Sequence, residues 1–180
     1  GIQMDASSIA KGLGVDLVAE YLEAKGVVNY MVEIGGEVRV KGESNKKRAW
    51  RIGIDRPEDD LTGQNRELQM ILQLNSGALA TSGNYRNFYI HEGKKYAHTI
   101  SPLTGRPIQT DVLGASVYAS SCMKADAYAT AFMVMGFQRA REVVIADADL
   151  EVCLIYEENG ILKTWISDGL KSRIVSEENK

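Results

Sequence analysis

Asp126 and Thr130 stand four residues apart in the stretch KADAYATAFMVMG over 124–136. Its Ala, Met and Phe favour a helix, with Gly136 as the C-terminal stop. At that spacing the two oxygen-bearing side chains share one face of a helix whose apolar residues fall on every side, which predicts burial all round. A carboxylate in such surroundings is costly unless paired, and a hard divalent cation such as Mg²⁺ takes carboxylate and hydroxyl oxygens. The alternative is structural. Asp126 in a first turn gains from the helix dipole, and Thr130 bonds back to a carbonyl one turn earlier.

Three more stretches carry polar chemistry. DASSIAK over 5–11 sets a carboxylate, Asp5, and two hydroxyls, Ser7 and Ser8, at a helix N-terminus, with Lys11 one turn on. Free N–H groups there bind phosphate, and Lys11 adds positive charge. The P-loop spacing is missing, and an ordinary capped helix with a solvated lysine is the alternative. ATSGNYR over 80–86 follows a strand with small hydroxyl residues, Gly83 and Arg86. Such a turn either presents N–H groups and a guanidinium fork to an anion or merely ends the strand. HTISPLTGRP over 98–107 begins with His98, one of two histidines, as a proton carrier or a structural imidazole. His91, in a turn beside Glu92, reads as surface, and no serine sits on a nucleophile elbow.

The elements that must position these groups follow from periodicity. A long helix is expected over 8–25, N-capped by Ser7 or Ser8 and stopped at Gly26. Gly12 and Gly14 inside it weaken it by about 1 kcal/mol each and predict a close approach to another backbone or to a ligand. Strands are expected over 30–34 and 37–40, joined by Gly35 and Gly36, and over 50–54. Strands over 67–74 and 78–81 are expected to pair as a hairpin across 75–77, and those over 87–90 and 95–98 across 91–93. A loop over 101–110 leads to a strand over 112–119, the Asp126 helix and a further helix over 138–146. Strands over 151–156 and 162–165 turn at Asn159 and Gly160, and the charged tail from Ser176 is expected to fray. Hairpins plus three helices, with no repeat and no break, predict one α+β domain over 1–180, helices packed on a mostly antiparallel sheet.

Composition narrows the function classes. The 180 residues carry 44% hydrophobic and 25% charged side chains, ordinary for a chain with a real core. A net charge of −3 gives no basic surface for nucleic acid or an anionic membrane. Cys122 and Cys153 form one bridge or none and make no disulfide framework. There is no signal peptide and no apolar run approaching the roughly 20 residues of a membrane span. The chain opens at Gly1 directly before a motif, as expected of a domain cut from a longer protein.

Read in order, D-x-S-S-I-A-K-G from Asp5, E-I-G-G-E over 33–37, A-T-S-G-x-Y-R over 80–86, H-x-I-x-P-x-T-G-R-P over 98–107 and A-D-A-x-A-T over 125–130 closely resemble the FAD:protein FMN transferases, the ApbE family, formerly called thiamine-biosynthesis lipoproteins. The likeness runs from Asp5 to about Trp165, and five motifs in the same order make it specific. It implies an ApbE-like (T-fold-like) α+β fold. It implies an enzyme that binds FAD and Mg²⁺, moves FMN onto a threonine hydroxyl of a target flavoprotein and releases AMP. Some members instead hydrolyse FAD to FMN and AMP, and a non-catalytic flavin-binding domain is a third possibility.

Carried over by motif, Asp126 and Thr130 would be side-chain Mg²⁺ ligands and Ser8 would add its backbone carbonyl. Asp5, Lys11 and Ile100 would touch FAD. His98 would assist proton movement at the transferred phosphoryl group. Ser101 departs from the family loop, which usually has aspartate there. Family members also carry a sizeable N-terminal portion that contributes to the FAD pocket, and they are typically exported, often as lipid-anchored proteins.

Overall fold

A computed structural model describes residues 5–55, 68–83, 88–91, 94–97, 99–102, 104–108 and 110–175, with backbone alone at 68, 88–91 and 94–97. Helix α1 (Ser7–Ala24) precedes the hairpin β1 (Tyr30–Ile34) and β2 (Glu37–Lys41). Strands β3 (Trp50–Asp55), β4 (Leu68–Leu74), β5 (Ser76–Gly83), β6 (Phe88–His91), β7 (Lys94–Ala97) and β8 (Val112–Ala119) follow. The chain continues through α2 (Cys122–Met135), α3 (Phe137–Ala146), β9 (Glu151–Glu158), β10 (Ile161–Ile166), α4 (Asp168–Lys171) and β11 (Ile174–Val175). Among the described residues no helix is long and apolar enough to cross a membrane.

Six strands form the main sheet in the order β1-β2-β5-β8-β9-β10, every pair antiparallel. A second sheet, β11-β4-β3, and the ribbon β6-β7 are antiparallel too. This is the α+β class expected from the hairpin pattern.

Alternation along the strands of the main sheet builds two cores. Val117 and Ala119 of β8 and Val152 and Leu154 of β9 face α2 and α3, which bring Ala125, Ala129, Phe132 and Ala140. On the other face Val38 and Val40 of β2, Leu79 of β5 and Ile155 of β9 meet Ile54, Met70 and Leu72 of the second sheet. Val15 and Ala19 pack α1 over Tyr30 and Val32 of β1 and Ala78 of β5. The buried alanines of β5, β8 and α2 leave little side-chain bulk between helix and sheet, which lets α2 lie close.

Three hairpins form where expected, β6 with β7 pairing from Phe88 opposite Ala97 to His91 opposite Lys94. Gly35 and Gly36 turn β1 into β2 with φ +60° and +100°, and Asn159 and Gly160 turn β9 into β10 with φ +55° and +74°. Positive φ at both central residues suits the twist of antiparallel strands. The hairpin expected across 75–77 does not exist. β4 pairs with β3 and β11, while β5 leaves for the main sheet between β2 and β8. Gly77, φ +95°, sits at that corner beneath Tyr118, whose Oη would lie 2.5 Å from a Cβ there. A side chain at 77 would block the crossing.

The helices depart from expectation at their starts. Neither Ser7 nor Ser8 caps α1; the N-cap is Ala6, without a side-chain bond, and Asp5 Oδ1 takes the Ser7 N–H at 2.6 Å instead. α2 starts at Cys122, so Asp126 lies beyond the first turn and the dipole explanation for it lapses. α2 is covered along most of its length, with Met123 and Met135 exposed near its ends. Gly136, φ +78°, closes it as expected, and a short fourth helix, α4, was not foreseen.

Candidate functional site

Asp16 decides where α2 begins. Its Oδ1 accepts the Cys122 N–H at 2.9 Å and its Oδ2 the Met123 N–H at 2.8 Å, while Arg39 Nη1 holds Oδ1 at 2.8 Å. Ser121 takes the N–H of Lys124 through its side chain, so the free donors of Cys122, Met123 and Lys124 are satisfied, and its carbonyl accepts the first regular helical bond from Ala125. One buried carboxylate thereby ties α1, β2 and α2 together.

One turn earlier on α1 the helices come closest. A Cβ on Gly12 would lie 2.5 Å from the Cys122 carbonyl oxygen and 2.8 Å from Asp126 Cβ, so only glycine fits. The Gly12 N–H donates to Asp126 Oδ2 at 2.9 Å. In a regular helix that N–H serves the carbonyl four residues back, which is that of Ser8. The close approach expected from the glycines of this helix is real at Gly12, and Asp126 is what it meets.

Around this crossing lies a cavity of about 680 Å³. α1 and the residues before it contribute Asp5, Ser7, Ser8 and Lys11; α2 contributes Asp126, Thr130, Met133 and Val134. The end of β5 adds Thr81, Ser82 and Gly83, β2 adds Glu37, and the following loop adds Thr99, Ile100 and Pro102. Asp126 and Thr130 thus share one space with the Asp5–Ser8 segment. Thr130 Oγ1 lies 3.2 Å from Ser82 Oγ. Ile100 bridges Pro107 and stays half exposed, and the turn between them is tied by Ser101 N–H to the Arg106 carbonyl at 2.9 Å. His98 and Arg86 lie outside the described residues.

Among the described residues the charges in this space are three carboxylates, two of them buried, and one ammonium. Asp126 is 3% exposed, and burial pushes its carboxyl up from the ordinary aspartate range against the pull of the Gly12 N–H and the Lys11 charge. Glu37 is 2% exposed and pairs with Lys11 Nζ through Oε1 at 2.7 Å; burial pushes it up as well, and Lys11 opposes. Exposed Asp5 is held below the usual range by hydrogen bonds from Ser7. Among the described residues no three His, Cys, Asp or Glu side chains gather as a metal cluster. What the crossing offers is harder and sparser: one carboxylate, one hydroxyl and the carbonyl end of the first turn of α1. Oxygen donors of this kind, in a cradle that glycine keeps open, fit Mg²⁺.

Sequence reasoning picked out Asp5, Ser8, Lys11, Ile100, Asp126 and Thr130, and the fold brings all six to one cavity. It gave no role to Glu37, Ser82 or Asp16. Glu37 stood in a quoted motif directly after the Gly35-Gly36 turn, yet nothing local signals that its side chain is buried.

The ApbE family model matches residues 1–154. This chain belongs to the ApbE family. It is similar to the FAD:protein FMN transferase of Vibrio cholerae, 44% identical over 170 residues, covering 94% of this chain and 49% of that protein. The FAD:protein FMN transferase of Escherichia coli K12 is 35% identical over 178 residues, covering 99% of this chain and 49% of that one. Among solved structures, the flavin transferase ApbE from Vibrio cholerae superposes with a TM-score of 0.80 at 42% identity, over 94% of this chain and 52% of the other. The ApbE protein of Thermotoga maritima gives a TM-score of 0.80 at 28% identity, over 97% and 54%. The ApbE chain described here spans about half the length of the relatives it matches.

Proposed function

We propose that residues 1–180 form one ApbE-like catalytic unit of an Mg²⁺-dependent flavin transferase, moving FMN from FAD to a threonine hydroxyl of an acceptor flavoprotein with release of AMP. The observation that carries this reading is the shared cavity: Asp126 and Thr130 on α2 line one space with Lys11 and the Asp5–Ser8 start of α1. Its relatives are named for flavin transfer.

In this reading the Lys11 ammonium and the positive end of the α1 dipole attract the anionic diphosphate. Asp5 and Ile100 at the rim contact FAD. Asp126, Thr130 and the Ser8 carbonyl hold the cation. When bound, the cation neutralises charge on the diphosphate and orients it. His98 accepts the proton of the threonine hydroxyl as its oxygen bonds to the phosphorus of the FMN half and the bond to the AMP oxygen breaks. The leaving AMP carries the electron pair. By family resemblance we further propose that the protein acts outside the cytoplasm, exported or lipid-anchored.

Hydrolysis of FAD uses the same constellation with water as nucleophile. Incubating the intact protein with FAD, Mg²⁺ and a peptide bearing an acceptor threonine separates the outcomes by mass. Peptide heavier by FMN supports transfer, free FMN supports hydrolysis, and unchanged FAD overturns both.

A further inference from the structure

Glu37 is the one cavity carboxylate for which the reading so far has no use. It is the first residue of β2, opposite Ile34 across the Gly35-Gly36 turn, so a two-residue loop fixes its backbone tightly. Oε1 receives the Lys11 ammonium at 2.7 Å. Oε2 is buried and has no hydrogen-bond partner among the described residues. A Cβ at position 35 would only touch Lys11 Cδ at 3.4 Å and Glu37 Oε2 at 3.8 Å, so glycine is favoured there by its φ of +60° and not by lack of space.

A buried carboxylate oxygen without a donor is costly. With Asp126 also in the cavity, the described side chains leave an excess of negative charge over Lys11. The missing partner must therefore both donate a hydrogen bond and bring positive charge. A hydrated divalent cation does both, because Mg²⁺ sheds its waters reluctantly and those waters are strong donors. A carboxylate already committed to a lysine suits this outer position, as the partners behind metal ligands commonly do.

We infer that Glu37 is a positioning residue for the cation, its Oε2 accepting a hydrogen bond from a water of the hydrated ion while its Oε1 holds Lys11 at the cavity wall. This rests on the metal reading above. Glu37 thereby couples two parts of the site, keeping the lysine that faces the diphosphate in register with the ion.

The test is Mn²⁺ binding to the intact protein without FAD, followed by the electron paramagnetic resonance signal of free Mn²⁺. Expected are a roughly 10–100-fold weaker affinity in Glu37→Gln and loss of binding in Asp126→Ala. Lys11→Met is expected to bind Mn²⁺ at least as tightly as the wild type, since a positive charge has gone. The metal-free Glu37→Gln protein is expected to melt no lower than wild type, because a buried charge has been removed. Unchanged Mn²⁺ affinity in Glu37→Gln, with Asp126→Ala still losing it, overturns the role of Glu37 and leaves the metal reading standing. Equal losses in Glu37→Gln and Lys11→Met also overturn it, assigning the effect to the lysine. No Mn²⁺ binding by the wild type overturns the metal reading and this inference together.

Discussion

The backbone N–H of Gly12 donates to Asp126 Oδ2 at 2.9 Å, joining residues 114 positions apart in the chain. This bond sets the orientation of the carboxylate proposed to hold the cation, and a missing side chain makes it possible. Gly12→Ala drives a methyl into the Cys122 carbonyl and Asp126 Cβ, both backed by main chain that cannot turn aside. The expected cost is about 3 kcal/mol, read as a lower denaturation midpoint at an unchanged slope. Wild-type stability in that variant would refute the close crossing.

Asp126→Ala removes the buried carboxylate and its bond to α1. Flavin transfer is expected to fall at least ~100-fold, with Mg²⁺ dependence lost in the residue that remains. Retained activity that still responds to Mg²⁺ would take Asp126 out of the cation site.

Asp16→Ala tests the brace that starts α2. It strips two helix N–H groups of their acceptor and takes a partner from Arg39, which keeps Glu23 at 3.5 Å. A loss of about 3 kcal/mol is expected in denaturant unfolding. A change below about 0.5 kcal/mol would mean that the brace contributes little.

His98→Ala is expected to slow transfer by roughly 10²–10⁴-fold while FAD affinity stays near wild type, as for loss of a base acting on the acceptor hydroxyl. FAD binding is measured by fluorescence and transfer by mass. An equal loss of both would make His98 a binding residue.

The two thiols supply a pH test. Cys122 and Cys153 are both free and buried, in cores on opposite faces of the main sheet, and burial pushes each up to about 12. Neither is expected to react with a thiol reagent at pH 8 until the protein unfolds. Unfolded thiols titrate near 9.0, so the unfolded chain loses its thiol protons first. Their contribution to stability is intact below that pH and lost as pH rises from about 9 toward about 12. Rapid labelling of the native protein at pH 8 would contradict the burial.

The sequence by itself determined what depends on neighbours within a few residues. Helical spacing marked α1 and α2, paired positive-φ turns marked two hairpins, and Gly136 marked a helix end. The order of five short motifs named the residues that meet in the cavity. Sheet membership was decided only by the tertiary structure: strands β4 and β5 look like a hairpin across 75–77, but each has a better partner far along the chain. The burial of Glu37, the capping of α2 by Asp16 and the bond from Gly12 to Asp126 were decided there too. Each joins groups at least 26 residues apart, and a side chain's environment at that distance is set by packing, which no local pattern records.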